Sequence, residues 1–123
     1  MKPLLGRFAE PAYALLRLVA GLMFAFHGAQ KFGFFGGTMA PMLSQVWFAG
    51  VIELVGGILI AIGLFTSLVA FICSGEMAVA YFQAHAPKAF WPNMNGGELA
   101  VLYCFLFLYV AARGGGRYSV DRR

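Results

Sequence analysis

Residues 45–85 read QVWFAGVIELVGGILIAIGLFTSLVAFICSGEMAVAYFQAH. Two apolar runs, residues 45–65 and 67–85, meet with only the short GLFTS break of residues 63–67 around their junction. Each run approaches the ~20 residues that carry an α-helix across a bilayer core. A connection this short forces the two runs to lie side by side and antiparallel. They lack the period-two alternation of a transmembrane barrel strand and are too long for one. The stretch therefore predicts a helical hairpin built to sit in hydrocarbon.

Working outward, two further apolar segments flank it, residues 11–30 and 96–113, set off by the breakers GFFGGTMAP and APKAFWPNMNGG. The expected architecture is an all-α integral membrane protein, an antiparallel four-transmembrane-helix bundle filling residues 1–123 as one domain. Composition agrees: 61% of residues are hydrophobic and only 11% charged, with a mean hydropathy of +0.77. A soluble domain carries about 25% charged residues, so water could not solvate this surface on every side. The basic start, Lys2 and Arg7, precedes an apolar stretch as in a signal peptide. Glu10 and Arg17 interrupt it without a convincing small-x-small cleavage site, so it reads as a retained first helix.

Loop charge sets the expected orientation. The N-tail, the second connection and the C-tail share one side and carry Lys2, Arg7, Arg113, Arg117, Arg122 and Arg123; the other side carries Lys31 and Lys88. The positive-inside rule puts both termini of this multi-pass chain in the cytoplasm. The outward loops hold Phe32, Phe34, Phe35, Trp47, Phe90 and Trp91, as an interfacial aromatic belt would. The first loop has room for a short interfacial helix over residues 39–46, with Thr38 as its cap. Small residues recur at four-residue spacing, Gly21 with Ala25, Gly57 with Ala61, and Ala70, Ser74 and Ala78, which lets helix backbones approach in a membrane.

Polar groups interrupt every segment: Arg17 and His27 in the first, Glu53 in the second, Glu76 and Gln83 in the third, Glu98 opening the fourth. A charge at bilayer depth costs about 2.5–3.5 kcal/mol on insertion scales, so such groups face inward and pair. Counting depth along the helices at about 1.5 Å per residue, Arg17 reaches Glu76 most easily and Glu53 second. The same count puts His27 level with Glu98, with Lys31 one turn above His27. Arg17, Glu53, Glu76 and Gln83 then form a buried polar network, which a purely structural role in fixing helix register would also explain. His27, Lys31 and Glu98 are the candidate catalytic group. With Phe24 and Trp91 beside them they would border an outer-leaflet cavity between the first and fourth helices. A titratable His beside a carboxylate and aromatic rings is what a quinone headgroup needs; a satisfied structural histidine is the plainer alternative.

Other chemistries find little support. Cys73 and Cys104 lie in apolar runs without a CxxC pattern and read as small buried hydrophobes. His27 and His85 are the minimum for bis-His haem but lack an axial-ligand pattern, zinc would need more grouped N or S donors, and no metal site is expected. There is no phosphate loop, no nucleophile elbow, and no basic face of the kind that binds nucleic acid.

The runs RLVAGLMFAFHGAQKFGFFGG, ELVGGILIAIGLFTSLVA, GEMAVAYFQAH and NGGELAVLYCFLFLYVA, in this order and spacing, resemble the DoxX family of small four-helix bacterial membrane proteins along nearly the whole chain. Arg17, His27, Gly28, Lys31, Glu53, Gly57, Gly63, Thr66, Glu76, Asn95, Gly96, Glu98 and the closing YSVD fall at positions that look like the family's recurring ones. The resemblance implies a subunit or partner of a membrane redox system, including members linked to thiosulfate oxidation with electrons passed to quinone. The expected function is an accessory subunit of a membrane oxidoreductase that meets quinone near the outer leaflet, with no covalently bound cofactor. Its expected partners are the lipid bilayer and a protein partner or a second copy of itself. A non-catalytic anchor or assembly subunit is the alternative, and a small-solute carrier ranks below both, since four short helices leave little room for alternating access.

Overall fold

The computed structural model describes residues 1–122; Arg123, counted above among the cytoplasmic basic residues, lies outside the described residues. Among these the regular structure is wholly helical: α1 Ala9–Gln30, α2 Gln45–Ile62, α3 Thr66–Ala80, α4 Pro92–Asn95 and α5 Glu98–Arg113. A 3-10 turn, Gly6–Phe8, leads into α1, and α3 runs on as a π-helical turn, Tyr81–His85. Three of these stretches are long and apolar enough to cross a membrane, Gly6–Gln30, Gln45–Ile62 and Thr66–His85. Their outward faces carry residues such as Leu15, Val19, Phe71 and Val79, all at least half exposed, a surface suited to lipid tails rather than to water.

Local chemistry sets the helix ends. Ser44 caps α2, its hydroxyl accepting from the Trp47 amide at 3.2 Å. At the other end Gly63 takes φ 76° and its amide donates to Ile60 O, while the Leu64 amide reaches back to Leu59 O; this is the double bond of a Schellman stop. Phe65, also left-handed at φ 51°, then turns the chain directly into α3. Phe65 supplies no side-chain cap. The Asp121 carboxylate does so from the far end of the sequence, accepting from the amides of Phe65 (3.0 Å) and Thr66 (2.8 Å) and from the Thr66 hydroxyl (2.7 Å).

The helices associate as two close antiparallel pairs. In the α1–α2 pair Gly21 sits against Gly57 and Ala61, Gly57 against Ala25, and Gly28 against Gly50 and Leu54, with backbone meeting backbone. In the α3–α5 pair the hydroxyls of Ser67 and Ser74 donate to the carbonyls of Ala111 and Cys104 at 2.5 and 2.7 Å. An aromatic cluster joins the pairs: the Phe24 ring lies 4.8 Å from that of Phe107 and 5.1 Å from that of Tyr103.

The structure corrects several expectations. No separate helix forms over residues 39–44, residues 45 and 46 already belong to α2, and among the described residues Thr38 caps no helix. Leu43 is left-handed at φ 64°, a conformation incompatible with a helical turn, so α2 cannot begin before Gln45. A short helix appears instead at α4, inside what reads as a plain loop. The fourth apolar segment starts at Glu98 because Gly96, at φ 75°, ends α4 rather than opening α5.

Candidate functional site

At the end of the bundle opposite the α2–α3 turn, the two helix pairs part around a cavity of about 760 Å³. Its wall takes Phe24, His27 and Lys31 from α1, Ile52 and Glu53 from α2, Gly75 and Glu76 from α3, and Tyr103 from α5. Much of the lining that stays exposed belongs to α2 and α3, including Phe48, Ile72, Gly75 and Val79, so the mouth opens sideways between these helices. The mouth is apolar. The floor is not.

Glu53 sits on the floor at 2% exposure, and Lys31 reaches down from the end of α1 to place Nζ 2.8 Å from its Oε1. Lysine can do this because its long apolar stem lies along the wall while only the ammonium needs a partner. A carboxylate this buried requires such compensation, since an isolated one would cost several kcal/mol. Glu76 faces Glu53 from α3, within electrostatic reach of the same lysine. Its Oε1 is buried and finds no hydrogen-bond partner among the described residues, and neither does the hydroxyl of Tyr103. His27 meets the Tyr103 ring edge-on, centroids 6.2 Å apart.

The upper rim is held by two polar bridges. Gln45 Nε2, at the start of α2, donates to Gln83 Oε1 on the π-turn. Behind it Asn95, 3% exposed, donates to the Tyr81 hydroxyl (2.9 Å) and Ala89 O (2.8 Å) and accepts from the Gly97 amide (2.8 Å). Tyr81 in turn donates to Phe90 O at 2.5 Å, and His85 Nδ1 lies 3.2 Å from Asn95 O. This network stitches the π-turn to the entry of α5 and so sets the height of Tyr103. A π-turn inserted at the wall of a cavity is a recurrent mark of functional sites.

The expected grouping is only partly realised. Phe24, His27, Lys31, Glu53, Glu76 and Gln83 all reach the cavity wall. Glu98 and Trp91 do not; both are exposed. Glu98 precedes the inward residue Ala100 by two positions, about 200° around the helix, so equal depth with His27 leaves it on the opposite face. There its charge complements the N-terminal end of α5.

Arg17 also departs from expectation. Among the described residues it meets no carboxylate. Nε donates to Ile60 O (2.8 Å), Nη1 to Gly115 O (2.7 Å), and Nη2 to Tyr118 O (2.8 Å) and Ala61 O (3.3 Å). The carbonyls of Ile60 and Ala61 belong to the last turn of α2, which has no following helical turn to bond and where the helix dipole is negative, so they compensate the guanidinium. Depth counting matched Arg17 to Glu76 because it could not see the C-terminal segment folding back beneath the bundle. Two polar wall residues escaped the sequence reading, Tyr103 and Gln45. A tyrosine inside the run AVLYCFLFLY, on the face shared by Ala100 and Phe107, is a polar handle in hydrocarbon and was the available signal. Among the described residues no group of three or more His, Cys, Asp or Glu could hold a metal ion.

Comparison with known proteins adds the family. A protein of Haemophilus influenzae, itself described only as an uncharacterized protein, is 47% identical over 118 residues, covering 89% of this chain and 88% of that relative. No solved structure matches the chain. The DoxX family profile matches residues 12–86, which takes in α1, α2, α3 and the π-turn with most of the cavity wall, and the chain belongs to the DoxX family.

Proposed function

We propose that this DoxX protein is an accessory subunit of a membrane redox system, and that its cavity receives a quinone-type headgroup from the outer leaflet. The single observation that carries the reading is the cavity's polarity: an apolar mouth opening sideways between α2 and α3, and a floor of Lys31, Glu53, Glu76 and Tyr103. A quinone has the matching form, a flat polar head on an apolar tail that stays in lipid. His27 and Lys31 are the groups nearest the outer rim of this floor and would orient the head. The chain supplies no electron carrier of its own in this reading; a protein partner does.

The same reading takes α5 as a fourth membrane crossing, supported by its hydrogen-bonded packing on α3, and sets both termini on the cytoplasmic side of the inner membrane in accord with the arginines at residues 113, 117 and 122. The test is binding of decylubiquinone to the detergent-purified protein. Gly75 lines the cavity and a Cβ added there meets nothing within 4 Å, so Gly75→Phe fills the space without removing a polar group. Wild type should bind and this variant should not. Equal binding by both would place the quinone elsewhere and leave the anchor role as the better account.

A further inference from the structure

Within this bundle, buried polar side chains are satisfied as a rule. Arg17, Thr66, Ser74, Asn95 and Tyr13 all have partners at hydrogen-bond distance. Among the described residues the exceptions are Glu76 Oε1 and the Tyr103 hydroxyl, both on walls of the same cavity; Glu76 otherwise hydrogen-bonds the facing Glu53. Tyr103 is only 5% exposed. A buried oxygen left without a partner costs more than an average hydrogen bond returns, so two of them lining one cavity suit the polar end of a ligand.

The floor also has a sign. Two carboxyl groups, Glu53 and Glu76, share one ammonium, and Lys31 already donates to Glu53. A proton held between the facing carboxyls still leaves Glu76 Oε1 with lone pairs to offer. Acceptors are therefore in surplus. The partner they require is a donor.

We propose that the cavity prefers the reduced, hydroxyl-bearing form of its ligand, a hydroquinone, whose buried hydroxyl donates to Glu76 Oε1 and accepts from the Tyr103 hydroxyl. This deepens the quinone reading above and rests on it. A hydroxyl is donor and acceptor at once and answers both unpartnered atoms. A quinone carbonyl answers Tyr103 alone and sets its own lone pairs against those of Glu76. Neither Glu76 as a headgroup contact nor a redox-state preference follows from the rim residues His27 and Lys31.

Equilibrium binding of decylubiquinol and decylubiquinone, measured separately under anaerobic conditions on the full chain in detergent, tests this. Wild type should hold the quinol about tenfold more tightly, the ratio that one charge-assisted hydrogen bond supports. Glu76→Gln supplies an amide that can donate to a carbonyl, so the preference should vanish or reverse. Tyr103→Phe should weaken both forms while preserving their ratio. Equal affinities in wild type, tighter binding of the quinone, or an unchanged ratio in Glu76→Gln would each overturn the proposal while leaving a quinone site standing. Failure of both forms to bind would remove the site itself. The wild-type ratio decides the matter even if a variant does not fold.

Discussion

Replacing Gly28 by alanine probes the contact that holds α1 to α2. A Cβ built on Gly28 falls 2.3 Å from the Leu54 nitrogen and 2.8 Å from both Leu54 Cα and Gly50 O. Ordinary contact begins near 3.4 Å, so the helices must separate by about 1 Å at this point. The obstructing atoms are backbone and cannot swing aside as a side-chain tip would. A gap of 0.5–1 Å forfeits about a quarter to a half of each neighbouring dispersion contact, and in a membrane no hydrophobic force between helices replaces it. Overpacking of this kind typically costs about 1–3 kcal/mol, and the rigid neighbours argue for the upper half of that range. Gly75→Ala is the internal control, because its Cβ meets nothing within 4 Å. It keeps only the gain of alanine over glycine in a helix, at most about 1 kcal/mol. Chemical unfolding in detergent, followed by circular dichroism, should place Gly28→Ala well below wild type and Gly75→Ala at or above it. If the two variants unfold together, close backbone approach is not what joins α1 to α2.

Lys31→Met should destabilise the protein by about 3–5 kcal/mol, because it leaves Glu53 buried without its cation, and adding Glu53→Gln should recover much of the loss in the same unfolding assay. Arg17→Met should cost about 3 kcal/mol or more through its four carbonyl partners, whereas a double-mutant cycle of Arg17 with Glu76 should show coupling near zero; strong coupling would restore the ion pair between them. Asp121→Ala should lower the unfolding midpoint by the equivalent of about 1–2 kcal/mol, the usual worth of a helix cap; no change would mean the cap is idle. A reporter fused at the C-terminus and one inserted near Lys88 should report opposite sides of the membrane, and same-side signals would refute the four-crossing topology.

The helices themselves were legible because the bilayer imposes length and apolarity on each segment, and these are one-dimensional quantities. The α1–α2 seam was legible for a related reason: Gly21, Ala25, Gly57 and Ala61 repeat at helical spacing, and small residues have few other uses in hydrocarbon. Depth is also one-dimensional, and it set His27 and Lys31 together near the C-terminal end of α1, where both reach the cavity wall. Azimuth is not. Glu98 has the depth of His27 but points away, and only the phase of α5, set by the Asn95 network and the Gly96 turn, decides that. The partner of Arg17 was out of reach for a different reason. Its acceptors are main-chain carbonyls, which every residue carries and no sequence pattern advertises. Tyr103 does not stand out in the sequence because an aromatic residue in an apolar run is ordinary; what singles it out is a hydroxyl with no partner among the described residues.

The C-terminal segment has a consequence for how the protein is made. Arg17 in the first helix is completed by the carbonyls of Gly115 and Tyr118, and the first turn of α3 is capped by Asp121. These residues follow all five helices in the sequence and are synthesised after them. Until they emerge, the guanidinium of α1 and the amides of α3 wait with only part of their bonding in place. The two helix pairs can form in order, but the end of the bundle at the α2–α3 turn closes only once residues 115–121 are made. A chain ending at Arg113 would carry every apolar helix yet lack the contacts that hold them at a common base.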